Sequence, residues 1–256
     1  MKQLFNLIFL FGVISVFGVS CSDDDDNNPG GGGGGGGGGT SVCTGGPSTV
    51  TDVDGNVYNV VTIGNQCWMK ENLKTTKYRN GDPIPGNLSD AAWGSTNGGA
   101  QADYDNDPTN KATYGKLYNF YAVADPRGLC PTGWHVPSDA EWQTLETALG
   151  MPAAELNNTG GRGSAQNVGG KMKSVSPLWL SPNAGATNSS GFAGLPGGYR
   201  ISDGTYFSIG GSGIWWSSTQ YSTAYAWYRR LNYTNGDVTR DGNLKRDGFS
   251  VRCVRD

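Results

Sequence analysis

The residues best suited to binding a ligand are concentrated between Ser212 and Lys245 of the 256-residue chain. Tyrosine, tryptophan, arginine and asparagine follow one another there at short intervals. Aromatic rings stack on sugars, Arg and Asn supply hydrogen bonds, and the same residue types dominate protein-binding hot spots. We therefore predict a ligand-binding set made of Tyr225, Tyr228, Arg230, Asn232, Asp241, Asn243 and Arg246.

The same stretch also has a structural explanation. In a β-rich domain, at least half of these aromatic and arginine side chains are expected in the core. Side chains alternate between the two faces of a strand. If Trp227 and Arg229 share one face with Tyr225, then Tyr228 and Arg230 share the other, and one of the two sets should be exposed.

Catalytic residue types are scarce. His135 is the single histidine, and it lies between Trp134 and Val136 just before a predicted helix, where a structural role is favoured. With one histidine in the sequence, a Ser-His-Asp triad and a zinc site made of several histidines are nearly excluded. Paired carboxylates for glycoside hydrolysis have no sequence signature, and nothing singles out a pair. We predict a protein that is not an enzyme, with a carbohydrate-active or modifying enzyme as the alternative.

Two segments resemble cofactor motifs without matching them. In "AQNVGGKM", Ala165 stands where a phosphate-binding loop needs Gly and Met172 where it needs Ser or Thr. In "DYDNDPTNK", the aspartates at 103, 105 and 107 have the initial spacing of a calcium loop, but Pro108 replaces the required Gly and Tyr114 the closing Glu. The second segment favours a turn with Asx caps and leaves a calcium site of another kind open. We predict no cofactor, with calcium as the one candidate metal.

The cysteines predict two disulfides. Of five, Cys21 belongs to the N-terminal segment, and an even number remains: Cys43, Cys67, Cys130 and Cys253. In an exported protein this number is typical of disulfides. Three pairings exist, and we favour Cys43–Cys67 with Cys130–Cys253, the second of which closes a long loop.

Residues 1–20 have the layout of a secretory signal, with Lys2 before a mostly apolar stretch that leads to small residues. The ending "GVSC" resembles the lipobox of bacterial lipoproteins, although Gly18 stands where that motif usually has Leu. The expected consequence is lipidation at Cys21; the alternative is an ordinary cleaved signal.

Residues 21–41 combine a cysteine, a serine and four aspartates with ten consecutive glycines. The acidic start resembles the export signal of Bacteroidetes surface lipoproteins, or is only a solvated spacer. A flexible run of about 20 residues spans roughly 25 Å. We predict an outer-membrane lipoprotein displayed on the cell surface, attached to the membrane through its lipid anchor.

The remaining segment, 42–256, is about 215 residues long and is expected to form one folded domain. Its basic and acidic residues balance once Lys2 and the four aspartates are set aside, so nucleic-acid binding lacks the basic footprint it needs. Abundant glycine and aromatic residues with few charges predict a loop-rich domain dominated by short strands.

Turn and helix signals place the motifs on elements. Asp54-Gly55, Asp203-Gly204, Asn235-Gly236 and Asp241-Gly242 predict turns between strands. The spacing of apolar residues from Leu117 to Ala124 predicts a short helix. A second helix begins at the capping box of Ser138 and Glu141, buries Trp142, Leu145 and Leu149, and ends at Gly150.

Seven ordered motifs resemble the Fibrobacter succinogenes major paralogous domain over Thr49 to Asp256: "DVDGNVYNVVTIGNQCWMKENLKTTKYRNG", "YDND", "KATYGKLYNFYAV", "LCPTGWHVPSDAEW", "GFAGLPGGYR", "WWSST" and "GFSVRCVRD". That family is grouped with C-type-lectin-like folds and is similar to the formylglycine-generating, sulfatase-modifying domains. The resemblance implies an α+β, C-type-lectin-like fold of twisted antiparallel β-sheets with two flanking helices and long loops, disulfide-bonded. A Cys130–Cys253 bond would resemble the disulfide of the lectin fold. The reactive cysteine pair of the modifying enzymes is not implied, because the cysteines here are explained as disulfides.

The run between "WWSST" and "GFSVRCVRD" is dense in residue types that mutated adenine-rich codons encode. Its layout resembles the variable regions of lectin-fold proteins diversified by retroelements, in which the last strands and loops form the ligand face. The predicted ligand-binding set would then consist of exposed variable contacts; an ordinary polar surface is the alternative. We expect a surface-displayed protein that binds a glycan or a cell-surface protein without catalysis, with an envelope-structural module as a further alternative.

Overall fold

The computed structural model describes Cys43 and residues 47–256. The predicted signal peptide (1–20), the tether (21–41) and the lipidation site at Cys21 lie outside the described residues. Within the described part, no helix has the length and apolar character that a membrane span requires.

The described residues form thirteen strands: β1 (Thr49–Thr51), β2 (Val57–Ile63), β3 (Gln66–Met69), β4 (Gln101–Ala102), β5 (Leu117–Tyr118), β6 (Trp134–His135), β7 (Gly160–Arg162), β8 (Gly197–Arg200), β9 (Tyr206–Ile209), β10 (Ser212–Gln220), β11 (Tyr225–Asn232), β12 (Val238–Leu244) and β13 (Val254–Arg255). Five α-helices accompany them, together with a 3-10 turn at Tyr104–Asn106: α1 (Asp90–Ser95), α2 (Thr109–Tyr114), α3 (Phe120–Val123), α4 (Asp139–Ala148) and α5 (Val168–Met172).

The strands build two larger sheets and one small one. The first sheet has the order β1-β2-β3-β13-β6, the second β7-β12-β11-β10-β8-β9, and β4 pairs with β5. Neighbouring strands are antiparallel except β8 and β10, which are parallel. The expectation of an α+β domain dominated by antiparallel sheets is thus confirmed.

The expectation of two flanking helices is wrong, because the described residues hold five, of which only α4 exceeds six residues. The predicted helix from Leu117 to Ala124 is shortened to α3, since Leu117 and Tyr118 pair with β4 instead. The Asn119 side chain then accepts the backbone N–H of Ala122 and starts the single turn of α3.

Helix α4 forms as its sequence predicts. The Ser138 hydroxyl accepts the Glu141 N–H, and the Glu141 carboxylate accepts the Ser138 N–H, which completes the capping box. Trp142 and Leu145 are fully buried. Gly150 takes a positive φ of 97° just after the helix, a conformation that costs glycine little.

Three of the four predicted turns are confirmed, at Asp54-Gly55, Asp203-Gly204 and Asn235-Gly236. Asp241-Gly242 is not a turn but lies inside β12, where Gly242 pairs with Trp227 of β11. A Cβ at Gly242 would come within 2.6 Å of the Tyr221 ring, so this glycine permits a close approach rather than a reversal.

The core lies on both sides of the second sheet. Trp215 and Trp216 follow one another in β10 and therefore point to opposite faces. Trp215 joins a cluster with Trp68, Trp142 and Phe192, whereas Trp216 joins the cluster that includes Phe249. Two neighbouring side chains thus anchor β10 in both parts of the core.

Both disulfides have the favoured pairing. Cys43 bonds to Cys67, with 5.8 Å between their Cα atoms, and Cys130 bonds to Cys253, with 6.0 Å between theirs. Val254, next to Cys253, pairs with β3 on one side and β6 on the other. The second bond therefore ties the start of β13 to the segment that leads into β6.

Candidate ligand-binding surface

The register of β11 and β12 decides which predicted residues meet. Tyr228 lies opposite Asp241, and Ala226 lies opposite Asn243. Directly opposed residues of antiparallel strands point to the same side, and so do residues two apart on one strand. Five predicted residues therefore share one side, which we call the polar sheet face: Tyr228, Arg230, Asn232, Asp241 and Asn243.

The opposite side of the same strands is covered by α4. Arg229 donates from Nε to Glu146 (2.6 Å) and from Nη1 to Asp139 (2.8 Å). Arg240 donates to Asp139 (2.8 Å), and Arg162 donates to Glu146 (2.8 Å). These side chains are almost entirely buried, so they hold the helix against the sheet.

Burial and charge act against each other in this covered cluster. Burial alone would raise the pKa of Asp139, but Arg240 and Arg229 hold it below its ordinary value. The carboxylate is therefore ionised at neutral pH and paired with two guanidinium groups. The cluster explains why Arg229, which has the same residue type as Arg230, belongs to the core.

The polar sheet face is half exposed and offers unused hydrogen-bonding groups. Within the described residues, neither the Tyr228 hydroxyl nor the Arg230 guanidinium forms a hydrogen bond, and the buried Nε of Arg230 has no partner. Burial raises the pKa of Tyr228, which remains a neutral donor and acceptor. This arrangement can bind hydroxyl, amide or carboxylate groups of a ligand.

An aromatic layer supports this face from below. The ring of Phe249 lies 5.4 Å from that of Tyr228 and 6.0 Å from that of Tyr199 on β8. Phe249 also packs against Trp216, with 4.2 Å between ring centroids. Tyr228 is thus held in place by the core while its hydroxyl stays available.

The other two predicted residues lie elsewhere. Tyr225 opposes Leu244 at the start of β11, points to the other side of the sheet and is 40% exposed. Arg246 follows β12 in the turn that the Asp247 N–H closes on the Leu244 carbonyl (2.9 Å). Its Nη2 donates to Asn97 Oδ1 (2.8 Å).

Arg246 belongs to a pocket of about 320 Å³ at the end of β12. The backbone N–H of Lys245 donates to the Ala224 carbonyl (2.9 Å), and that of Phe120 donates to the Lys245 carbonyl (2.9 Å), which brings three segments together. We call it the β12-end pocket; its walls are Tyr121, Ser202, Thr223, Ala224, Leu244, Lys245 and Arg246.

Only Arg246 of these walls was predicted to bind a ligand. The other residues come from α3, from the turn between β8 and β9, and from the loop between β10 and β11. No local pattern connects such distant segments, and Tyr121 follows a helical spacing that predicts core. The pocket depends on tertiary structure alone.

The acidic segment around Asp105 has the Asx-capped turn that its sequence favours. Asp107 accepts the backbone N–H of Thr109 (2.9 Å) and its hydroxyl (2.8 Å). Asp103 pairs with the ammonium of Lys116 (2.7 Å). Among residues 47–256 and Cys43, no group of three or more His, Cys, Asp or Glu side chains is arranged to hold a metal ion.

His135 links two carboxylates, through Nε2 to Glu141 (2.7 Å) and through Nδ1 to Asp256 (2.6 Å). Burial alone would lower the pKa of His135, but the hydrogen bonds to Asp256 and Glu141 raise it above its ordinary value. Glu141 also accepts from the Ser138 N–H and hydroxyl, which with His135 lowers its pKa despite burial. A glycosidase acid needs a raised carboxyl pKa, so this group fits a structural ion cluster better than a catalytic pair.

Comparison with known proteins gives one match. No curated protein matches the chain, and no solved structure does. The family model of the Fibrobacter succinogenes major domain matches residues 61–255, which include both larger sheets except β1 and part of β2. Because this match spans well over half of the chain, the protein belongs to the Fibrobacter succinogenes major domain family.

Proposed function

We propose that this protein recognises a glycan or a cell-surface protein without catalysis, through the polar sheet face and the adjoining loops. One observation carries the proposal: Tyr228 and Arg230 present unpaired polar groups side by side on strands whose other side is fixed by buried ion pairs. A rigid support lowers the entropy lost when a ligand is bound.

The setting we propose is that of a surface lipoprotein. Lipidation at Cys21 and the tether of residues 21–41 would hold the domain away from the outer membrane. The proposed fold is C-type-lectin-like, with the variable contacts of a retroelement-diversified protein on β11 and β12. The half-exposed position of five predicted residues on one sheet face supports this assignment.

A binding screen tests the proposal. The full chain is presented to panels of glycans and cell-surface proteins, with and without calcium. We expect a specific ligand whose affinity falls about tenfold in Arg230→Gln, since a hydrogen bond to a charged group is lost. Tyr228→Phe, which keeps the ring on Phe249, should weaken binding by a smaller factor.

The matched control is Arg127→Gln. Arg127 is exposed and paired with Asp82 and Asp125, far along the chain from β11. Binding that is equally weakened in Arg127→Gln and Arg230→Gln would contradict a site on the polar sheet face. If nothing in either panel binds, the recognition function itself is contradicted.

A further inference from the structure

The β12-end pocket has two neighbouring cations without counter-ions. Lys245 and Arg246 both line it, and neither has a carboxylate within 4.0 Å in the described part of the chain. By contrast, Arg229 and Arg240, earlier in the chain, are paired with Asp139. The pocket is therefore electrostatically suited to an anionic group.

Hydrogen bonds hold both cations in place and leave donors unused. Arg246 Nη2 donates to Asn97 Oδ1, and the other N–H groups of the guanidinium stay available. Lys245 Nζ donates to Gln220 Oε1 (2.8 Å) and to the Thr223 carbonyl (2.9 Å), which leaves one of its three protons. A planar guanidinium matches the two oxygens of a carboxylate.

The remaining walls suit a sugar ring. Tyr121 and Leu244 supply apolar surface, and Ser202 and Thr223 supply polar groups. A volume of about 320 Å³ lies at the small end of ligand pockets, which favours one monosaccharide unit over a longer segment. Aromatic rings pack against the C–H faces of sugars while hydroxyl groups bond the rim.

Two acidic residues adjoin these walls in sequence, Asp203 next to Ser202 and Asp247 next to Arg246, and Asp247 accepts a hydrogen bond from the backbone of Ser202. Burial and, to a smaller extent, the charge of Asp203 raise the pKa of Asp247 to about 7. At neutral pH the Asp247 carboxyl is thus partly protonated and carries a reduced negative charge.

We infer that the β12-end pocket binds a hexuronic acid, with its carboxylate on Arg246 and Lys245 and its ring against Tyr121. The inference rests on the proposed function, because it names a sugar class that the recognition protein takes. The chemistry that selects the ligand is a carboxylate at C6 in place of a hydroxymethyl group.

The test compares sugars that differ only at C6. Galacturonate and galactose, and glucuronate and glucose, are titrated into the full chain by calorimetry, with acetate as a carboxylate without a ring. We expect each uronate to bind at least about tenfold more tightly than its neutral partner and than acetate, since a charge-assisted hydrogen bond is gained. Arg246→Gln should remove that difference, and Arg127→Gln should keep it.

Equal binding of uronates and neutral sugars, a difference that survives Arg246→Gln, or no uronate binding would each overturn the inference. Its failure is distinguishable from failure of the proposed function. A screened ligand that depends on Arg230 but not on Arg246 leaves recognition standing and removes the uronate pocket. If no ligand binds in either experiment, both the proposed function and the uronate pocket are contradicted.

Discussion

At the scale of single residues, Asp247 has the clearest effect on stability. Its side chain is almost fully buried, and Oδ1 has no partner among the described residues. Burial raises its pKa to about 7 from 3.8, so between these values the folded protein holds the proton more firmly than the unfolded chain. The stabilisation is complete below the unfolded pKa and is lost as pH rises through the folded one.

Asp247→Asn tests this effect, since asparagine keeps an acceptor for the Ser202 N–H. At pH 8 we expect the variant to exceed the wild type in free energy of unfolding by about 2–4 kcal/mol. Near pH 3 the two proteins should differ little, because the carboxyl is protonated in both states. Urea unfolding at both pH values measures this, and a difference independent of pH would contradict the explanation.

His135 also has a raised pKa, with hydrogen bonds to Asp256 and Glu141 outweighing burial. Its stabilisation is present below the unfolded pKa of about 6.5 and is lost as pH rises through the folded value. The imidazole side chain is 38% exposed, so we expect the loss to stay within about 1 kcal/mol. Thermal unfolding of His135→Gln from pH 5 to pH 9 should show a flatter pH dependence than the wild type.

At the scale of elements, the decisive contact is between α4 and the second sheet. Arg229→Met leaves Glu146 and Asp139 each with one fewer cation in a buried cluster. Removing one partner of a buried ion pair costs about 3–5 kcal/mol. Arg127→Met, which breaks exposed pairs, should cost about 1 kcal/mol or less. Equal losses in urea unfolding would show that the buried cluster does not anchor α4.

The elements also show how far the sequence predicts the structure. The capping box of α4 and three turns follow from local chemistry, and local chemistry is visible in sequence. The turn predicted at Asp241-Gly242 is wrong. A glycine that makes room for the Tyr221 ring cannot be told from a turn glycine in the sequence. The predicted helix starts too early, at Leu117, because Leu117 and Tyr118 pair with β4 although their spacing is helical.

For the candidate site, too, the sequence predicts one part and not the rest. Alternation along β11 separates Tyr228 and Arg230 from Trp227 and Arg229, and the sequence predicts that separation. Which side α4 covers is decided by Asp139 and Glu146, far away in the chain. The β12-end pocket depends on three distant segments and has no sequence pattern at all.

At the scale of the whole molecule, the two disulfides should contribute unequally. Cys130–Cys253 joins residues 123 apart, and Cys43–Cys67 joins residues 24 apart. Loop-closure entropy predicts about 5 kcal/mol for the longer loop and about 3.5 kcal/mol for the shorter one. Paired alanine variants of each bond, unfolded in urea without reductant, should keep this order. A larger loss from the shorter loop would show that chain entropy is not the dominant effect.

The position of β13 has a consequence for how the chain folds. This strand lies between β3 and β6, so two segments from the first half of the domain meet only through residues near its far end. Pairing over such separations makes folding slow, because the chain loses the entropy of closing a long loop before the stabilising contacts form. The first sheet cannot be completed while β13 is still being synthesised. Until then β3 and β6 have unpaired edges, which are prone to aggregation.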